Sequence, residues 1–279
     1  MKWLYLNQEF IKEENASLHI SDLALQRGYG IFDYLKVVDG HFVFLEAHLQ
    51  RLFYSAAQMR LPLKHTSDEL KSIITELVER NQANTSGIRI TITGGYSENG
   101  YSIAAPNMII QQQPLRLPEQ SDFEKGVRLV SYPHIRPLAP VKSTNYLMGI
   151  WLQEYIKEHG ADDVLYHWDG NISECPRANI FILTEDGILV TPDKNILSGI
   201  TRSFILQLGF LRCEERDISL DELYSSREVF ITSTTKRIMP VVEIDGKKIH
   251  SGKAGERSWD LLVALLTAEV TDRSLTWQP

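Results

Sequence analysis

The sequence predicts an α+β fold with two domains, each built on a largely antiparallel sheet with flanking helices. Three observations predict it: apolar residues alternate with polar ones in several short runs, Asp-Gly pairs separate neighbouring runs, and apolar residues elsewhere follow helical spacing. The chain of 279 residues, 43% of them hydrophobic, is long enough for one large domain or two smaller ones. It contains no βαβ unit opened by a glycine-rich fingerprint, which argues against a dinucleotide-binding fold.

The N-terminal elements are predicted from a change of periodicity. The run "GIFDYLKVVDGHFVFLEAHLQRL" alternates around an Asp39-Gly40 turn, which predicts two paired strands. Its spacing becomes helical after Leu45, so a helix is predicted from about Glu46. A second amphipathic helix is predicted over about 67–82, and two paired strands follow in "GIRITITGG" and "NMIIQQQ".

Proline and polar residues are concentrated in "QQQPLRLPEQSDFEKG", residues 111–126, which is typical of a link between domains. The predicted boundaries are a small N-terminal domain over 1–116, a linker over 117–125 and a large C-terminal domain over 126–279. The elements predicted beyond the linker are a strand over about 127–132, a helix over about 144–158, a hairpin turning at Asp186-Gly187, a helix over about 201–209, a strand in "EVFITS", a hairpin turning at Asp245-Gly246 and a closing helix from about 254.

Charge and cysteine content exclude several classes of protein. The formal net charge is -7 and no Lys/Arg cluster is present, so nucleic acid is not predicted as a partner. Cys175 and Cys213 have no metal-ligand spacing and are too few for a disulfide framework, so no metal is predicted and a cytoplasmic location is the simplest expectation. No apolar run approaches the length of a membrane span, and the start "MKWLYLNQEF" is too polar for a signal peptide.

A single lysine stands in the otherwise uncharged run "APVKSTNYL", residues 139–147. Most lysines are solvated surface charges, which is one interpretation of Lys142. Its sequence neighbours favour another, because desolvation among apolar groups would lower the pKa of the amine and make it a nucleophile. A neutral amine in a pocket is what Schiff-base chemistry requires. The apolar neighbours are Pro140, Val141, Tyr146, Leu147, Ile150 and Trp151.

Pyridoxal phosphate, the commonest Schiff-base cofactor, also needs a group at its pyridine nitrogen and a cradle for its phosphate. Glu174 in "NISECPRANIFIL" is a candidate for the nitrogen, or else a charge at a strand edge. In "LSGITRSFILQL", Gly199, Ile200 and Thr201 begin a helix whose free N–H groups favour an anion, and the alternative there is an ordinary N-cap. The hydroxyls of Ser233, Thr234 and Thr235 in "ITSTTKR" are further phosphate candidates, and the alternative there is a solvated turn. Arg51, on the helix after the first hairpin, is the last phosphate candidate, and the alternative is an i,i+4 pair on the helix surface.

Taken in order, these motifs resemble the fold-type IV pyridoxal-phosphate enzymes, the class IV aminotransferases. The resemblance covers nearly the whole chain, in "YGIFDYLKVVDGHFVFLEAHLQRL", "VKSTNYL", "ISECPRANIFIL", "ILSGITRSFIL" and "EVFITSTTKRIMPVVEIDG". That family includes branched-chain aminotransferases, D-amino-acid aminotransferases, amine transaminases of R selectivity and aminodeoxychorismate lyases. The resemblance implies pyridoxal 5'-phosphate as the cofactor, a homodimer of two-domain subunits, and an active site between the domains that a loop of the neighbouring subunit closes.

The resemblance also implies a role for each matching residue. Lys142 forms the internal aldimine, and its amine, once the substrate displaces it, moves the α-proton. Glu174, in the pattern Glu-x-x-x-Ala-Asn that ends at Asn179, holds the pyridine nitrogen protonated. Tyr146 approaches the phenolic oxygen of the cofactor. The remaining cofactor-binding candidates, at the phosphate, are Arg51, Ile200, Thr201, Ser233 and Thr234.

The substrate is less well defined by the motifs. The Arg-x-His pair of well-known bacterial D-amino-acid aminotransferases is absent after the strand "ITITGGYSENGYS", and "GIRI" lacks the tyrosine of the branched-chain "YIRP" motif. Arg27 and Arg89 are the candidates to bind the substrate α-carboxylate, because two guanidinium groups can hold a carboxylate by forked hydrogen bonds. Phe32 and Thr235 are the other substrate-binding candidates.

The short "KSTN" form of the lysine motif, with "EVFITSTT" and "PVVEIDGKKI", favours transfer of an amino group between a D-amino acid, such as D-alanine or D-glutamate, and a 2-oxo acid. A branched-chain L-amino-acid aminotransferase is the alternative, and "NYL" resembles that branch. An R-selective amine transaminase and an aminodeoxychorismate-type lyase are weaker alternatives. A protein that binds pyridoxal phosphate without catalysis is the alternative from another class, and the joint presence of Lys142 and Glu174 argues against it.

Overall fold

The computed structural model of the chain describes residues 2–209, 211–271 and 275–279. They form two compact units. The first unit comprises Met1–Leu115, Val141–Asn145 and Glu269–Pro279, and the second comprises Arg116–Pro140 and Tyr146–Ala268. The polypeptide therefore returns to the first unit twice, once for five residues around Lys142 and once at its C-terminal end.

In its described residues, the first unit is a single antiparallel sheet with three α-helices and the last residues of a fourth. Its elements are β1 (Trp3–Leu6), β2 (Glu9–Lys12), a 3₁₀ turn (Glu13–Asn15), α1 (Leu23–Arg27), β3 (Gly30–Val38), β4 (His41–Phe42), α2 (Leu45–Gln58), α3 (Ser67–Asn81), β5 (Ser86–Thr93) and β6 (Met108–Gln113). The strand order is β2-β1-β6-β5-β3-β4, and every neighbouring pair is antiparallel.

The core of the first unit follows the periodicity of its elements. On β5, Ile88, Ile90 and Ile92 are fully buried, while Arg89 and Thr91 between them are half-buried, because successive side chains of a strand point to opposite faces. Leucines of α2 and α3 pack against the same apolar face. Each such side chain stabilises the fold by roughly 1.5–3 kcal/mol when it is fully buried.

The boundary of α3 is set by its first turn. Thr66 Oγ1 accepts a hydrogen bond from Glu69 N at 3.2 Å, and Glu69 Oε2 accepts one from Thr66 N at 2.7 Å. This capping box satisfies N–H groups that have no partner inside the helix. The helix therefore begins at Ser67, where the sequence predicts it.

The second unit is a larger sheet with further helices. Its elements are α4 (Gln120–Lys125), β7 (Val127–Pro133), α5 (Leu147–Trp151), α6 (Gln153–Glu158), β8 (Asp163–Trp168), β9 (Asn171–Ile172), β10 (Glu174–Cys175), β11 (Ala178–Leu183), β12 (Leu189–Thr191), α7 (Ile200–Leu206), β13 (Cys213–Glu215), α8 (Leu220–Tyr224), β14 (Glu228–Ser233), β15 (Arg237–Ile244), β16 (Lys247–Lys248) and α9 (Glu256–Val270), the last of which ends in the first unit.

The sheet of the second unit has the order β13-β12-β11-β14-β15-β7-β8-β9, with β10 beside β11 and β16 beside β15. Most of its described pairs are antiparallel, whereas β7–β8, β7–β15 and β12–β13 are parallel. The parallel pairing of β7 with β8 is possible because α5 and α6 lie between them in sequence and supply the crossover.

The structure confirms the predicted fold class and most predicted elements. Two of the predicted Asp-Gly turns form two-residue hairpin loops, β3–β4 and β15–β16. Asp39, Gly40, Asp245 and Gly246 all have positive φ, between 49° and 83°, as the tightest hairpin turns require.

The predicted helix over 144–158 is wrong as a single element. The structure has two short helices there, α5 and α6, and the first begins only at Leu147. The chain cannot be helical earlier, because residues 142–144 are extended and hydrogen-bonded along β3. The helix α4 lies inside the segment predicted as a linker, and Lys142 clusters with the first unit. The predicted domain boundaries themselves stay a prediction.

Candidate functional site

The backbone of Lys142 is held by hydrogen bonds to two elements of the first unit. Its carbonyl accepts from Phe32 N at 2.9 Å, and Thr144 N donates to Gly30 O at 2.9 Å, so this segment runs beside the first half of β3. On the other side, Lys142 N donates to Ser55 Oγ of α2 at 3.3 Å. The lysine side chain is half-buried. A hydrogen-bonded backbone therefore carries a side chain that keeps part of its surface exposed.

Two cations contact the ring of Phe32. Lys142 Nζ lies 4.8 Å from the ring centroid and Arg89 Cζ lies 3.9 Å from it. Both distances are typical of cation–π contacts, which orient a cation as well as stabilise it. Arg89 faces away from the buried Ile88 and Ile90, as the alternation of β5 predicts. The structure thus brings an amine and a guanidinium to one aromatic surface.

Arg51 is buried and paired with an aspartate. Its Nε donates to Asp33 Oδ2 at 2.9 Å and its Nη2 donates to Asp33 Oδ1 at 2.9 Å, while His48 Nδ1 lies 2.7 Å from the same Oδ1. Burial raises the pKa of Asp33, but Arg51 and His48 outweigh it and hold the pKa well below its usual range. Burial lowers the pKa of His48 more than Asp33 raises it, and the charges of Arg51 and Lys142 lower it further. Asp33 is therefore ionised and His48 neutral.

Arg27 lies on the exposed end of α1. Its Nη1 donates to Gln26 O at 3.0 Å, and Gly28 closes the helix in the left-handed region at φ 65°. Asp22 caps the other end of α1 by accepting from Ala24 N at 2.8 Å. The structure places Arg27 on a well-anchored helix, in a different setting from Arg89.

The predicted apolar surroundings of Lys142 are wrong in part. Val141 is buried, but Leu147, Ile150 and Trp151 lie on α5 with 71%, 63% and 65% of their surfaces exposed. Neighbours in sequence do not surround the lysine, because the chain turns into a short helix directly after it. Tyr146 is half-buried and is the last residue before that helix.

In the second unit, Asn179 joins several candidate residues. It is the strand partner of Glu174 on one side and of Thr232 on the other, and its Nδ2 donates to Leu197 O at 2.7 Å. A Cβ on Gly199 would lie 2.0 Å from Asn179 Oδ1, so only glycine permits this approach. Asn179 thereby ties β10, the end of β14 and the loop before α7 together.

Both carboxylate oxygens of Glu174 are hydrogen-bonded. Oε1 accepts from Arg136 Nε at 2.9 Å, and Oε2 accepts from Leu197 N at 2.9 Å. Arg136 Nη2 in turn donates to Ala139 O. Glu174 is buried, and Arg136 is largely so. A buried carboxylate with a charge-assisted hydrogen bond and a backbone donor is held in one orientation.

The start of α7 is suited to an anion. Ile200 and Thr201 are buried, and Gly199 before them has no side chain to cap the helix. The first N–H groups of a helix have no partner inside it, so a buried and uncapped start needs an acceptor from elsewhere.

The hydroxyl cluster lies at the turn after β14. Ser233 ends the strand, and its Oγ accepts from Lys236 N at 3.0 Å. Thr234 and Thr235 lie in the turn and are half-buried. Thr232, one residue earlier, has a buried Oγ1 without a hydrogen-bond partner among the described residues. Donors and acceptors are thus concentrated beside Asn179.

The structure groups the sequence-based candidates into two sets and adds residues to each. The first unit holds Phe32, Arg51, Arg89 and Lys142, with Arg27 at its surface. The second unit holds Tyr146, Glu174, Asn179, Ile200, Thr201, Ser233, Thr234 and Thr235.

Sequence reasoning missed Asp33, His48 and Arg136 as members of these sets. Each has a signal that is visible in retrospect: Asp33 is the one acid in the apolar strand "YGIFDYLKVV", His48 precedes Arg51 by one helical turn in "EAHLQRL", and Arg136 precedes Lys142 by six residues in "HIRPLAPVK".

Over residues 2–209, 211–271 and 275–279, no group of three His, Cys, Asp or Glu side chains is arranged to hold a metal ion. None of the helices in these ranges is long and apolar enough to cross a bilayer.

Cys175 is buried, and burial raises the pKa of its thiol well above the usual value. This cysteine is an inert core residue.

A lysine amine, a fixed carboxylate and a buried, uncapped helix start are the parts that a pyridoxal-phosphate enzyme requires. The chain belongs to the class IV aminotransferase family, whose model, described as amino-transferase class IV, matches residues 30–244. The protein is a pyridoxal-phosphate-dependent aminotransferase, and the fold class, enzyme class and cofactor predicted from the sequence are confirmed.

Three known proteins illustrate the similarity. The chain is 30% identical to D-alanine aminotransferase of Bacillus licheniformis, over 99% of this chain and 100% of that one. A branched-chain amino acid aminotransferase structure from Escherichia coli has a TM-score of 0.85 and 26% identity, over 96% of this chain and 94% of that one. A hypothetical aminotransferase from Mycobacterium tuberculosis, in its PLP-bound form, has a TM-score of 0.83 over 97% and 100%, and at 23% identity it shows the fold alone.

The residues present fit pyridoxal 5'-phosphate. The buried start of α7 and the Thr232 hydroxyl, which has no hydrogen-bond partner in the described part of the chain, are polar groups that an oxyanion can satisfy. Each oxygen of Glu174 has two lone pairs, so the carboxylate can accept a pyridinium N–H besides the bonds from Arg136 and Leu197.

Proposed function

We propose that this protein moves an amino group between D-amino acids, such as D-alanine or D-glutamate, and 2-oxo acids. The observation that carries the substrate class is the contact of both Lys142 and Arg89 with the ring of Phe32. An amino acid bears its amino group and its carboxylate on one carbon, so a substrate that reacts near Lys142 has its carboxylate within reach of a guanidinium. The D preference is supported by the D-alanine aminotransferase to which the chain is 30% identical.

The cofactor, when bound, supplies an aldehyde that joins an amine and a ring that withdraws electrons from the substrate carbon. We assign Lys142 as the amine that binds it covalently and then carries the α-proton as a general base. Glu174 keeps the pyridine nitrogen protonated, and Arg136 and Leu197 N hold its carboxylate in place. Tyr146 is assigned to the phenolic oxygen.

We assign the phosphate to donors of Arg51, of the start of α7 and of the turn after β14. Arg51 supplies a charged donor, and the N–H groups of Ile200 and Thr201 supply the helix start. Ser233 and Thr234 add hydroxyls, and Asn179 holds the loop and strand that carry these groups in register. Arg27 and Thr235 complete the proposed substrate site with Phe32 and Arg89.

The test is a substrate panel followed by visible absorbance. The purified protein, loaded with pyridoxal phosphate, is offered D-alanine, D-glutamate, L-leucine and an R-amine separately. We expect the two D-amino acids to convert the cofactor to pyridoxamine phosphate, and Lys142→Ala to bind the cofactor without the lysine-dependent absorbance or any conversion. Lys12→Ala is the matched control, because Lys12 Nζ also lies over an aromatic ring of the first unit, 3.6 Å from the centroid of Trp3.

The panel also decides between the alternatives. Reaction with L-leucine alone would overturn the D assignment, and full turnover by Lys142→Ala would overturn the assignment of the lysine. A wild-type protein that binds the cofactor and reacts with none of the four amines would be a binding module without catalysis.

Branched-chain L-amino-acid transamination is the second candidate. The specific observation in its favour is the similarity to the Escherichia coli branched-chain enzyme, with a TM-score of 0.85 and 26% identity. The same half-buried Arg89 serves either substrate, because the α-carboxylate is common to both. The two candidates differ in the side of the cofactor that receives the substituents of the α-carbon, which the panel measures directly.

We also propose that the protein is a homodimer whose active site the neighbouring subunit completes. The support is the exposed apolar face of α5, formed by Leu147, Ile150 and Trp151. These residues are three and four positions apart, so they lie on one side of the helix. Contiguous exposed apolar side chains mark association surfaces, and a second copy of the chain is the proposed occupant.

A cytoplasmic location remains our proposal. Cys175 and Cys213 are both free thiols. Reduced cysteines are typical of proteins in a reducing compartment. Fractionation of the source cells, with the thiols titrated before and after reduction, tests the location.

A further inference from the structure

A stripe of polar side chains lies buried on α2. His48, Arg51 and Ser55 are three and four positions apart in succession, so they share one face of the helix. All three are buried, which is unusual for a histidine, an arginine and a serine together. Ser55 contacts the backbone of Lys142, and the charge of Lys142 lowers the pKa of His48. The stripe therefore faces the segment that carries the lysine.

Asp33 is the residue on β3 that this stripe meets. Asp33, His48 and Arg51 have 0%, 1% and 3% of their surfaces exposed. Besides the two bonds from Arg51 and the one from His48, Asp33 Oδ1 accepts from Tyr34 N at 2.8 Å. The carboxylate of Asp33 accepts four hydrogen bonds, which fix its position and orientation.

The hydrogen bonds leave one edge of the guanidinium for other partners. Arginine has five N–H donors in a planar fork. Asp33 takes the edge formed by Nε and Nη2, so the Nη1 side is the one that can meet an anion. Because the carboxylate fixes the plane of the fork, it also fixes the direction of the Nη1 donors.

The protonation of the histidine follows from the same geometry. An ionised carboxylate only accepts hydrogen bonds, so His48 Nδ1 carries the proton that is shared with Asp33 Oδ1 at 2.7 Å. His48 is neutral, so it adds a hydrogen bond to Asp33 without adding a second positive charge. The buried cluster then contains one negative charge, on Asp33, and one positive charge, on Arg51.

Stability alone does not account for this cluster. A buried ion pair is often no more stabilising than apolar side chains of the same volume, because both charges lose their hydration. The hydrogen bonds do give the guanidinium one orientation, which an apolar replacement cannot do. A fixed guanidinium is what recognition of a phosphate requires.

We propose that Asp33 and His48 are positioning residues, which orient Arg51 so that its Nη1 edge binds the phosphate of the cofactor. This inference rests on the proposed function, in which Arg51 is a phosphate ligand. Asp33 and His48 have no proposed contact with the substrate. Their role is to hold Arg51 in its binding orientation before the phosphate arrives.

The test compares two ligands that differ only in the phosphate. Equilibrium titration of the apoprotein with pyridoxal 5'-phosphate and with pyridoxal gives the ratio of their dissociation constants. We expect Asp33→Asn to raise the dissociation constant of pyridoxal phosphate by about tenfold or more, the loss typical of a charge-assisted contact. The dissociation constant of pyridoxal should change by less than about twofold. The asparagine amide is a donor where Arg51 needs an acceptor, so the guanidinium loses its orientation.

A second measurement uses inorganic phosphate alone, which avoids the chemistry of Lys142. Saturating phosphate should raise the Tm of the wild-type apoprotein and raise that of Asp33→Asn much less. His48→Asn keeps an N–H near the position of Nδ1, so phosphate should raise its Tm as much as that of the wild type. His48→Ala lacks this N–H, so phosphate should raise its Tm less. If Asp33→Asn does not fold, His48→Ala keeps the ion pair and carries the test.

A matched control is Glu269→Gln, which breaks the buried ion pair with Lys36 elsewhere in the first unit. It should lower the Tm and leave the ratio of the two dissociation constants unchanged. Equal loss for both ligands in Asp33→Asn, no loss, or tighter binding of the phosphate by an uncompensated Arg51 would each overturn the positioning role. A wild-type protein that fails to bind pyridoxal phosphate through Lys142 would instead contradict the proposed function.

Discussion

Charged residues of the candidate site are held by different kinds of contact. Lys142 and Arg89 lie over an aromatic ring, whereas Arg51 and Arg136 are paired with Asp33 and Glu174. A cation over a ring is held near an uncharged surface, because the ring carries no formal charge. A cation paired with a carboxylate is held in one orientation by charge-assisted hydrogen bonds. Arg89 lies on the same ring as Lys142, so we expect it to bind the carboxylate of a substrate whose amino group reacts at the lysine.

Arg89→Ala is expected to raise the KM for amino acids by roughly 10- to 100-fold, since a charge-assisted hydrogen bond contributes about 1.5–3 kcal/mol. The KM for primary amines without a carboxylate should change little. Steady-state kinetics with both substrate types measure the difference. Arg80→Ala is the control, because Arg80 also lies over an aromatic ring, 4.4 Å from the centroid of Phe10. Equal effects on both substrate types would contradict a role in carboxylate binding.

At the scale of elements, the start of α7 depends on one close approach. The loop before the helix is bonded to Glu174 through Leu197 N and to Asn179 through Leu197 O. Gly199 passes so near Asn179 that a Cβ would be 2.0 Å from its Oδ1. The φ of Gly199 is -74°, so packing and not backbone conformation demands the glycine. The N–H groups of the helix start are therefore positioned by contacts between the backbone of the preceding loop and the side chains of Glu174 and Asn179.

Gly199→Ala is expected to displace Asn179 and to weaken pyridoxal phosphate binding by about tenfold, with an overpacking cost of roughly 1–3 kcal/mol. Titration of the apoprotein and thermal unfolding measure the two effects. Gly187→Ala is the comparison, since nothing lies within 4 Å of its Cβ position and its φ of 78° makes only the local turn unfavourable. Unchanged cofactor affinity in Gly199→Ala would show that the helix start does not bind the phosphate.

At the scale of the whole molecule, α5 presents an exposed apolar face. Large apolar side chains scattered singly are common on protein surfaces, but Leu147, Ile150 and Trp151 are clustered on five residues of helix. The cluster follows directly on the Lys142 segment in sequence. A second subunit that covers this face would therefore contact residues that follow the proposed catalytic lysine within a few positions of the sequence.

Replacing Ile150 by glutamate is expected to convert the proposed dimer to a monomer, because a carboxylate would have to be desolvated in the proposed interface. Analytical ultracentrifugation at several concentrations measures the association state. Val263→Glu is the matched control, since Val263 is an apolar side chain of similar exposure on α9. A wild-type protein that is monomeric at all concentrations would contradict the proposed homodimer.

The periodicity of the sequence and its turn residues predicted most elements correctly. β5 alternates as expected, α3 begins at its capping box, and the Asp39-Gly40 and Asp245-Gly246 turns form tight hairpins. These features depend on residues a few positions apart, so the sequence contains the needed information. The helix predicted over 144–158 failed because its first residues are recruited by β3, which lies more than a hundred positions earlier.

The sequence by itself determined the chemical groups of this protein: a lysine, an acid, a helix start and hydroxyls in an order that resembles one enzyme family. Only the tertiary structure decided their partners. Asp33 meets Arg51 across 18 positions, and Arg136 meets Glu174 across 38. The physical reason is that a buried charge must find a partner wherever the fold brings one, and this pairing depends on strand register and helix packing, which local periodicity does not encode.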